Sequence, residues 1–275
     1  LSDHWTIPTT PLPLPTYFIS HGGGPWPWMK DQMSDFEALE ASLQAMPQAI
    51  GATPKAILVI SGHWQESTLS LSSAAQPPMI YDYSGFPAHT YRVQYPAPGS
   101  PALAEQVREL LSSAGFAVNL NPRRGFDHGT FVPLAVAYPE ATIPVVQLSM
   151  QRDYDPAFHL AVGQAIAPLR QAGVLIIGSG LSYHNLRQLG PQAKQPSHQF
   201  DQWLTETLCT MKGMMRHHQL TRWSQASAAR MAHPQEDHLV PLFVAVGAAT
   251  NELGDRVYHE DALFGGVAVS SFRFG

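Results

Sequence analysis

Two runs in this chain are apolar at every position, Ala56-Ile57-Leu58-Val59-Ile60 and Val174-Leu175-Ile176-Ile177. A strand with one wet face alternates apolar and polar side chains. A strand that does not alternate is covered on both faces, which points to a central, mainly parallel sheet with helices on either side. Both runs stop at small residues, Ser61-Gly62 and Gly178-Ser179-Gly180. Further strands are expected at 15–19, 69–71, 116–118, 143–149 and 267–274, with Pro144 confined to a first-residue or edge position. Helices are expected over 31–46, from Ser100-Pro101 to about Ser113, and over 156–172, 198–213 and 237–249. Ser100 and Pro101 supply the N-cap and first-turn residues of the second helix. Strand and helix alternate without a repeat or a linker. The expected fold is therefore one α/β sandwich, with a central parallel or mixed sheet flanked by helices. A single domain is expected over 17–275, behind an extended, proline-rich N-terminal arm over 1–16.

Four histidines sit just past apolar runs, each in a glycine- or turn-rich segment. They are His21 in Ser20-His21-Gly22-Gly23-Gly24, His63 in Ser61-Gly62-His63-Trp64, His128 in Gly125-Phe126-Asp127-His128-Gly129, and His184 in Gly180-Leu181-Ser182-Tyr183-His184. A fifth, His238, opens an apolar helical stretch next to Glu236 and Asp237. Ligands of α/β proteins bind where loops converge at strand ends, so these positions suggest one site assembled from the whole chain. A metal explains why several imidazoles would meet, and imidazole with or without carboxylate suits Fe(II) or Zn(II). Histidines beside the metal could carry protons near neutral pH. His217 and His218 in a polar stretch, and His4 and His198 in loops, are read as surface residues. The turn-rich segment 76–99, dense in Tyr81, Tyr83, Phe86, Tyr91 and Tyr95, is long enough without regular structure to wall a pocket.

Other chemistries are disfavoured. The charge of −5 comes from 16 basic and 21 acidic residues with no long run of either sign, so no nucleic-acid partner is expected. Cys209, the one cysteine, allows neither an intramolecular disulfide nor a thiolate cluster and reads as a buried thiol on an amphipathic helix. The glycine loop after the first strand lacks dinucleotide spacing and a phosphate-binding lysine. No apolar run is long enough for a membrane span and no signal-like segment is seen, so a cytoplasmic protein is expected.

Taken in order, His21-Gly22-Gly23-Gly24-Pro25, Ser61-Gly62-His63-Trp64, Tyr95-Pro96-Ala97-Pro98-Gly99, Gly125-Phe126-Asp127-His128-Gly129, His184-Asn185-Leu186 and Glu236-Asp237-His238-Leu239-Val240-Pro241-Leu242 resemble the class III, LigB-like extradiol ring-cleavage dioxygenases, in their DODA-type (4,5-DOPA dioxygenase-like) branch. The resemblance spans about Tyr17 to Phe272. It implies His21, His63 and His238 as metal ligands, and His184 and His128 as catalytic residues handling protons or substrate. It implies a non-haem Fe(II) site that opens a catechol-type ring with O₂ and inserts both oxygen atoms, with zinc as the alternative occupant of a purified sample. His89, Arg92, Trp26 and Tyr183 are the substrate-contact candidates, and Arg187 joins Arg92 as a partner for a substrate carboxylate. The partners implied are a small catechol and O₂, with the protein a monomer or small homo-oligomer. The rival readings are a zinc-dependent hydrolase on the same ligands and a non-catalytic binding protein on the same fold.

Overall fold

The two wholly apolar runs lie side by side in one eight-stranded sheet. The structure, a computed structural model, describes residues 12–275. In chain order its elements are β1 (Thr16–Ser20), α1 (Glu37–Ile50), β2 (Ala56–Glu66), β3 (Leu69–Ser72), α2 (Pro101–Ser113), β4 (Val118–Asn121), α3 (His128–Ala137), β5 (Val145–Gln151), α4 (Pro156–Ile166), the single turn α5 (Pro168–Gln171), β6 (Val174–Gly180), α6 (Lys194–Thr210), α7 (Gly213–Thr221), the short α8 (Ala229–Ala232), α9 (Val240–Gly247), β7 (Gly254–Leu263) and β8 (Val267–Phe274). The strand order is β4-β3-β5-β2-β6-β1-β8-β7. Its centre, β5-β2-β6-β1, is parallel throughout, while β8 and β7 extend one side antiparallel. On the other side β3 runs antiparallel to β5 and parallel to β4. The sheet is thus mixed with a parallel core, and β2 and β6 are buried along their apolar lengths because helices cover both faces.

Parallel strands end on a common edge, which is what gathers the site. At that edge β1 delivers His21, β2 carries His63, and β6 leads into the loop holding His184. α9 is apolar all round and every one of its residues is buried, as a helix enclosed on all sides must be. It lies directly on β6. A Cβ at Gly178 would fall 2.3 Å from the Pro241 carbonyl oxygen, and one at Gly180 would fall 2.1 Å from that of His238. The glycines that end the apolar run therefore bring the start of α9, and with it His238, onto the strand edge. Among the described residues no helix is long and apolar enough to cross a membrane.

Several boundaries differ from expectation. The expected arm over 1–16 falls outside the described residues as far as residue 11. Its end is not free chain, because Leu14 is buried, its carbonyl accepts from Arg170 Nε at 2.6 Å, and Thr16 already belongs to β1. The helix expected at 31–46 begins at Glu37 after a 3-10 turn, and the strand expected at 116–118 is β4, starting at Val118. Pro144 immediately precedes β5, satisfying the first-residue condition inside a central strand. His198 lies on α6 rather than in a loop, and His217 and His218 lie on α7. β7 went unread in the sequence because it is an edge strand with a mostly exposed, polar sequence.

Candidate metal centre

His63 Nε2 stands 3.3 Å from His21 Nε2 and 3.2 Å from His238 Nε2. The opposite ring nitrogens face oxygen atoms. His21 Nδ1 donates to the Gly22 carbonyl at 3.0 Å and His238 Nδ1 donates to Asp237 Oδ2 at 3.0 Å. His63 Nδ1 faces Asp82 Oδ2 at 3.4 Å. A neutral imidazole with its proton on Nδ1 presents a bare lone pair at Nε2, so the tautomers are set by these partners. All three rings are also kept neutral. Burial, then the neighbouring histidines, holds His21 well below the usual histidine range, and His238 is held low by burial against the pull of Asp237. Burial and His128 lower His63 to about 4.

Three lone pairs pointing at one another repel unless a cation lies between them. Separations of 3.2–3.3 Å also match two imidazole bonds of roughly 2.0–2.1 Å meeting at a near-tetrahedral angle. The residues present therefore fit a divalent metal, and three nitrogen donors leave positions open for reactants. The backbone enforces this closeness. An added Cβ at Gly180 would collide with the His238 carbonyl rather than with a side chain that could swing away. Gly180→Ala is expected to cost about 1–3 kcal/mol by overpacking and to lower metal affinity with it, measured by urea unfolding and metal titration.

Two carboxylates extend the cluster in the same pattern. Asp82 Oδ1 accepts from His128 Nδ1 at 2.8 Å and from the His128 backbone N–H at 3.0 Å, while its other oxygen faces His63. Asp237 accepts from His238, and its Oδ1 lies 3.7 Å from His184 Nδ1. His184 stacks on His238 with ring centroids 3.4 Å apart, and His128 lies 4.0 Å from the His63 ring. Each aspartate so joins one histidine of the triad to one beside it. Partial burial would raise both carboxyls. Hydrogen bonding from His128 instead brings Asp82 down to about 2, and His184 and His238 hold Asp237 far below the ordinary carboxylate range. Both are anionic at neutral pH and anchor their imidazoles as acceptors. The sequence neighbour of His128, Asp127, does different work. It caps α3 through Thr130 N–H and takes hydrogen bonds from Ser61, Arg124 and Gln147, tying the loop to β2 and β5.

A cavity of about 250 Å³ adjoins the cluster, lined by all five histidines together with Tyr83, Phe86, Tyr183, Leu181, Phe264 and other apolar residues. Of the other substrate-contact candidates, only Tyr183 reaches this wall. Trp26 packs beneath the glycine loop, where its indole N–H donates to the His21 carbonyl at 3.0 Å and fills the space a Cβ on Gly22 would need. It supports His21 and does not line the cavity. His89 bonds the Trp28 carbonyl from an exposed 3-10 turn, and Arg92 at the end of that turn is exposed. The aromatic segment 76–99 does wall the cavity, through Tyr83 and Phe86. Cys209 is remote from the metal cluster, on α6, and only half-buried rather than fully buried, with burial pushing its thiol pKa up. Asp82 escaped sequence reasoning, since it lies in irregular chain 46 residues before His128. Asp237 was visible beside His238, but its reach to His184 was not.

In a mixed α/β sheet, histidines that converge at the strand ends form a cluster compatible with a divalent metal and open on an apolar cavity. The family model for the catalytic LigB subunit of aromatic ring-opening dioxygenase matches residues 15–274. The 4,5-DOPA dioxygenase extradiol of Beta vulgaris is 39% identical over 265 residues, covering 94% of this chain and 96% of that one. The protein of the same name from Escherichia coli (strain K12) is 32% identical over 271 residues, covering 95% of each. The crystal structure of an uncharacterised protein from Escherichia coli K12 superposes with a TM-score of 0.77 at 29% identity, covering 95% of this chain and 100% of that one. The chain belongs to the LigB-like extradiol dioxygenase family, in its 4,5-DOPA dioxygenase branch.

Proposed function

We propose that this protein is an Fe(II)-dependent extradiol dioxygenase that opens a catechol-type ring and inserts both atoms of O₂. The observation that carries the proposal is the convergence of three neutral Nε2 lone pairs on one point beside an apolar, ring-sized cavity. His21, His63 and His238 hold the metal through Nε2. Iron(II) there would acidify the catechol hydroxyls and relay electrons from the ring to O₂.

The other residues bind, orient and move protons. His184 lies on the cavity wall, stacked on His238, with Asp237 Oδ1 facing its Nδ1 at 3.7 Å. His184 Nε2 is then the nitrogen placed to take a proton from a ring hydroxyl. His128 is oriented more tightly, because Asp82 accepts from both its ring and its backbone N–H. Its Nε2 is then the nitrogen available to hydrogen-bond an oxygen atom in the cavity. Phe86, Leu181 and Phe264 supply flat and aliphatic surface for the ring and keep bulk water from the reacting atoms.

Ring opening under isotopically heavy O₂ tests the reading. Both heavy atoms are expected in the yellow ring-opened product, with uptake of O₂ matching ring lost. One heavy atom, or turnover without O₂ as a zinc hydrolase would give, contradicts it. His184→Ala is expected to keep its metal and lose roughly 100- to 10,000-fold in turnover, the usual contribution of a positioned proton-transfer group. Metal analysis beside steady-state kinetics checks both halves of that expectation.

A further inference from the structure

The tip of the β7–β8 hairpin is built against the preference of its own backbone. Leu263 and Val267 pair across it, the Gly265 N–H donates to the Ala262 carbonyl at 2.8 Å, and the Gly266 N–H donates to the Leu263 carbonyl at 3.2 Å. Both central residues of the turn Leu263–Gly266 have positive φ, 54° at Phe264 and 83° at Gly265. Turns of that pattern favour Asn-Gly or Gly-Gly, because an ordinary side chain is strained in the left-handed region. Here glycine stands at the second position and phenylalanine at the first. Among the described residues, four that are not glycine have left-handed φ, namely Ala141, Tyr154, Ala228 and Phe264. Of these, Phe264 alone lines the cavity beside the histidines.

Folding does not account for a phenylalanine there. Its ring leaves the residue 37% exposed, so contact with the protein recovers only part of what burying a phenyl group gives. The turn is also held without that ring. A Cβ on Gly266 would fall 2.5 Å from the Gly190 carbonyl oxygen, so the turn rests by its backbone on the loop that brings Leu189 to the same wall. The ring itself meets Phe36 edge to face, with centroids 5.8 Å apart. Phe36 packs on Trp26, whose indole supports the His21 carbonyl. This row of rings ties the hairpin tip to the glycine loop that follows the metal ligand His21. Being both cavity wall and more than one-third exposed, Phe264 stands at the cavity mouth.

We propose that Phe264 is a substrate-contact residue, held in a strained turn so that its ring closes the cavity mouth over the ring of a bound catechol. The substrate completes the burial that the protein leaves unfinished. A strained conformation kept at a ligand cavity is the mark of a residue retained for function over stability. The inference rests on the ring-cleavage reading above and names a residue that sets affinity for the substrate rather than for the metal.

The test replaces Phe264 by Asn, which this turn position favours, and by Tyr, which keeps the aromatic ring. Stability is read by urea unfolding, iron content by metal analysis, catechol and 3,4-dihydroxyphenylalanine binding to the iron-loaded protein by anaerobic calorimetry, and ring opening by O₂ uptake. Phe264→Asn is expected to be at least as stable as the wild type and to keep its iron. It is expected to bind both catechols about fivefold or more weakly, with KM raised to match and kcat changed less. Phe264→Tyr is expected to restore binding to within about twofold of the wild type, because the ring supplies the contact. Wild-type affinity and KM in Phe264→Asn overturn the inference and leave the ring-cleavage reading standing. So does a loss of stability in Phe264→Asn with no change in KM, which would make the ring a folding residue. If the wild type itself opens neither catechol, the ring-cleavage reading fails and the inference falls with it.

Discussion

Single replacement of His21, His63 or His238 by Ala is expected to abolish metal binding and reduce ring opening to background, while the protein stays folded. Each ring supplies one of the three Nε2 atoms, with that of His63 3.3 Å from His21 and 3.2 Å from His238. Loss of one donor should therefore exceed the roughly 10- to 100-fold drop in affinity that follows loss of an outer hydrogen-bond partner. Asp82→Asn and Asp237→Asn belong to that milder class, because they leave the three nitrogens in place and disturb only their orientation. Metal titration of the five variants, with circular dichroism as the folding control, should separate the two groups. Removing a buried imidazole also relieves the lone-pair crowding of the metal-free state, so the three alanine variants need not be less stable than the metal-free wild type.

The metal-free protein is expected to lose stability steeply as pH falls below about 6.5. His21 and His238 are held well below that value by burial, His63 is lowered to about 4, and His233, buried against the Ser182 carbonyl, is lowered to about 3. Between the folded and unfolded pKa values the unfolded chain binds more protons than the native one. Unfolding free energy then drops as pH falls from 6.5 and continues to drop until the folded pKa values are reached. Each such group contributes up to about 1.4 kcal/mol per pH unit over the range in which it is neutral in the folded chain and protonated in the unfolded one. Asp82 and Asp237, with depressed pKa values, add their loss only at lower pH. Metal bound to the neutral imidazoles should move the acid transition to lower pH. Urea unfolding of metal-free and loaded protein between pH 7.5 and 5 reads the effect, and a flat profile for the metal-free form would contradict it.

The sheet and the histidines were legible because both are written locally. Unbroken apolar runs mark strands covered on both faces, and a glycine followed by an imidazole at a strand end marks a backbone that must approach something closely. The aspartates were not legible, since Asp82 reaches His63 and His128 only after the irregular segment 76–99 has folded back over the strand ends. The cavity wall was legible only in part, for the same reason. Trp26 follows the glycine loop in sequence, but the left-handed backbone at Gly22 turns its indole under His21 and away from the cavity. Phe264 and Leu186, which do line the cavity, sit in a hairpin turn and a loop whose sequences carry no periodic signal. The edge strand β7 pairs only with β8, and its polar exposed face resembles ordinary loop composition.

Anaerobic titration of Fe(II) into the metal-free protein and its histidine variants tests the centre most directly. The account predicts one tightly bound ion per chain in the wild type, in His184→Ala and in His128→Ala, and none in His21→Ala, His63→Ala or His238→Ala. Full iron binding by any of the last three, or loss of iron from a correctly folded His184→Ala, would contradict it.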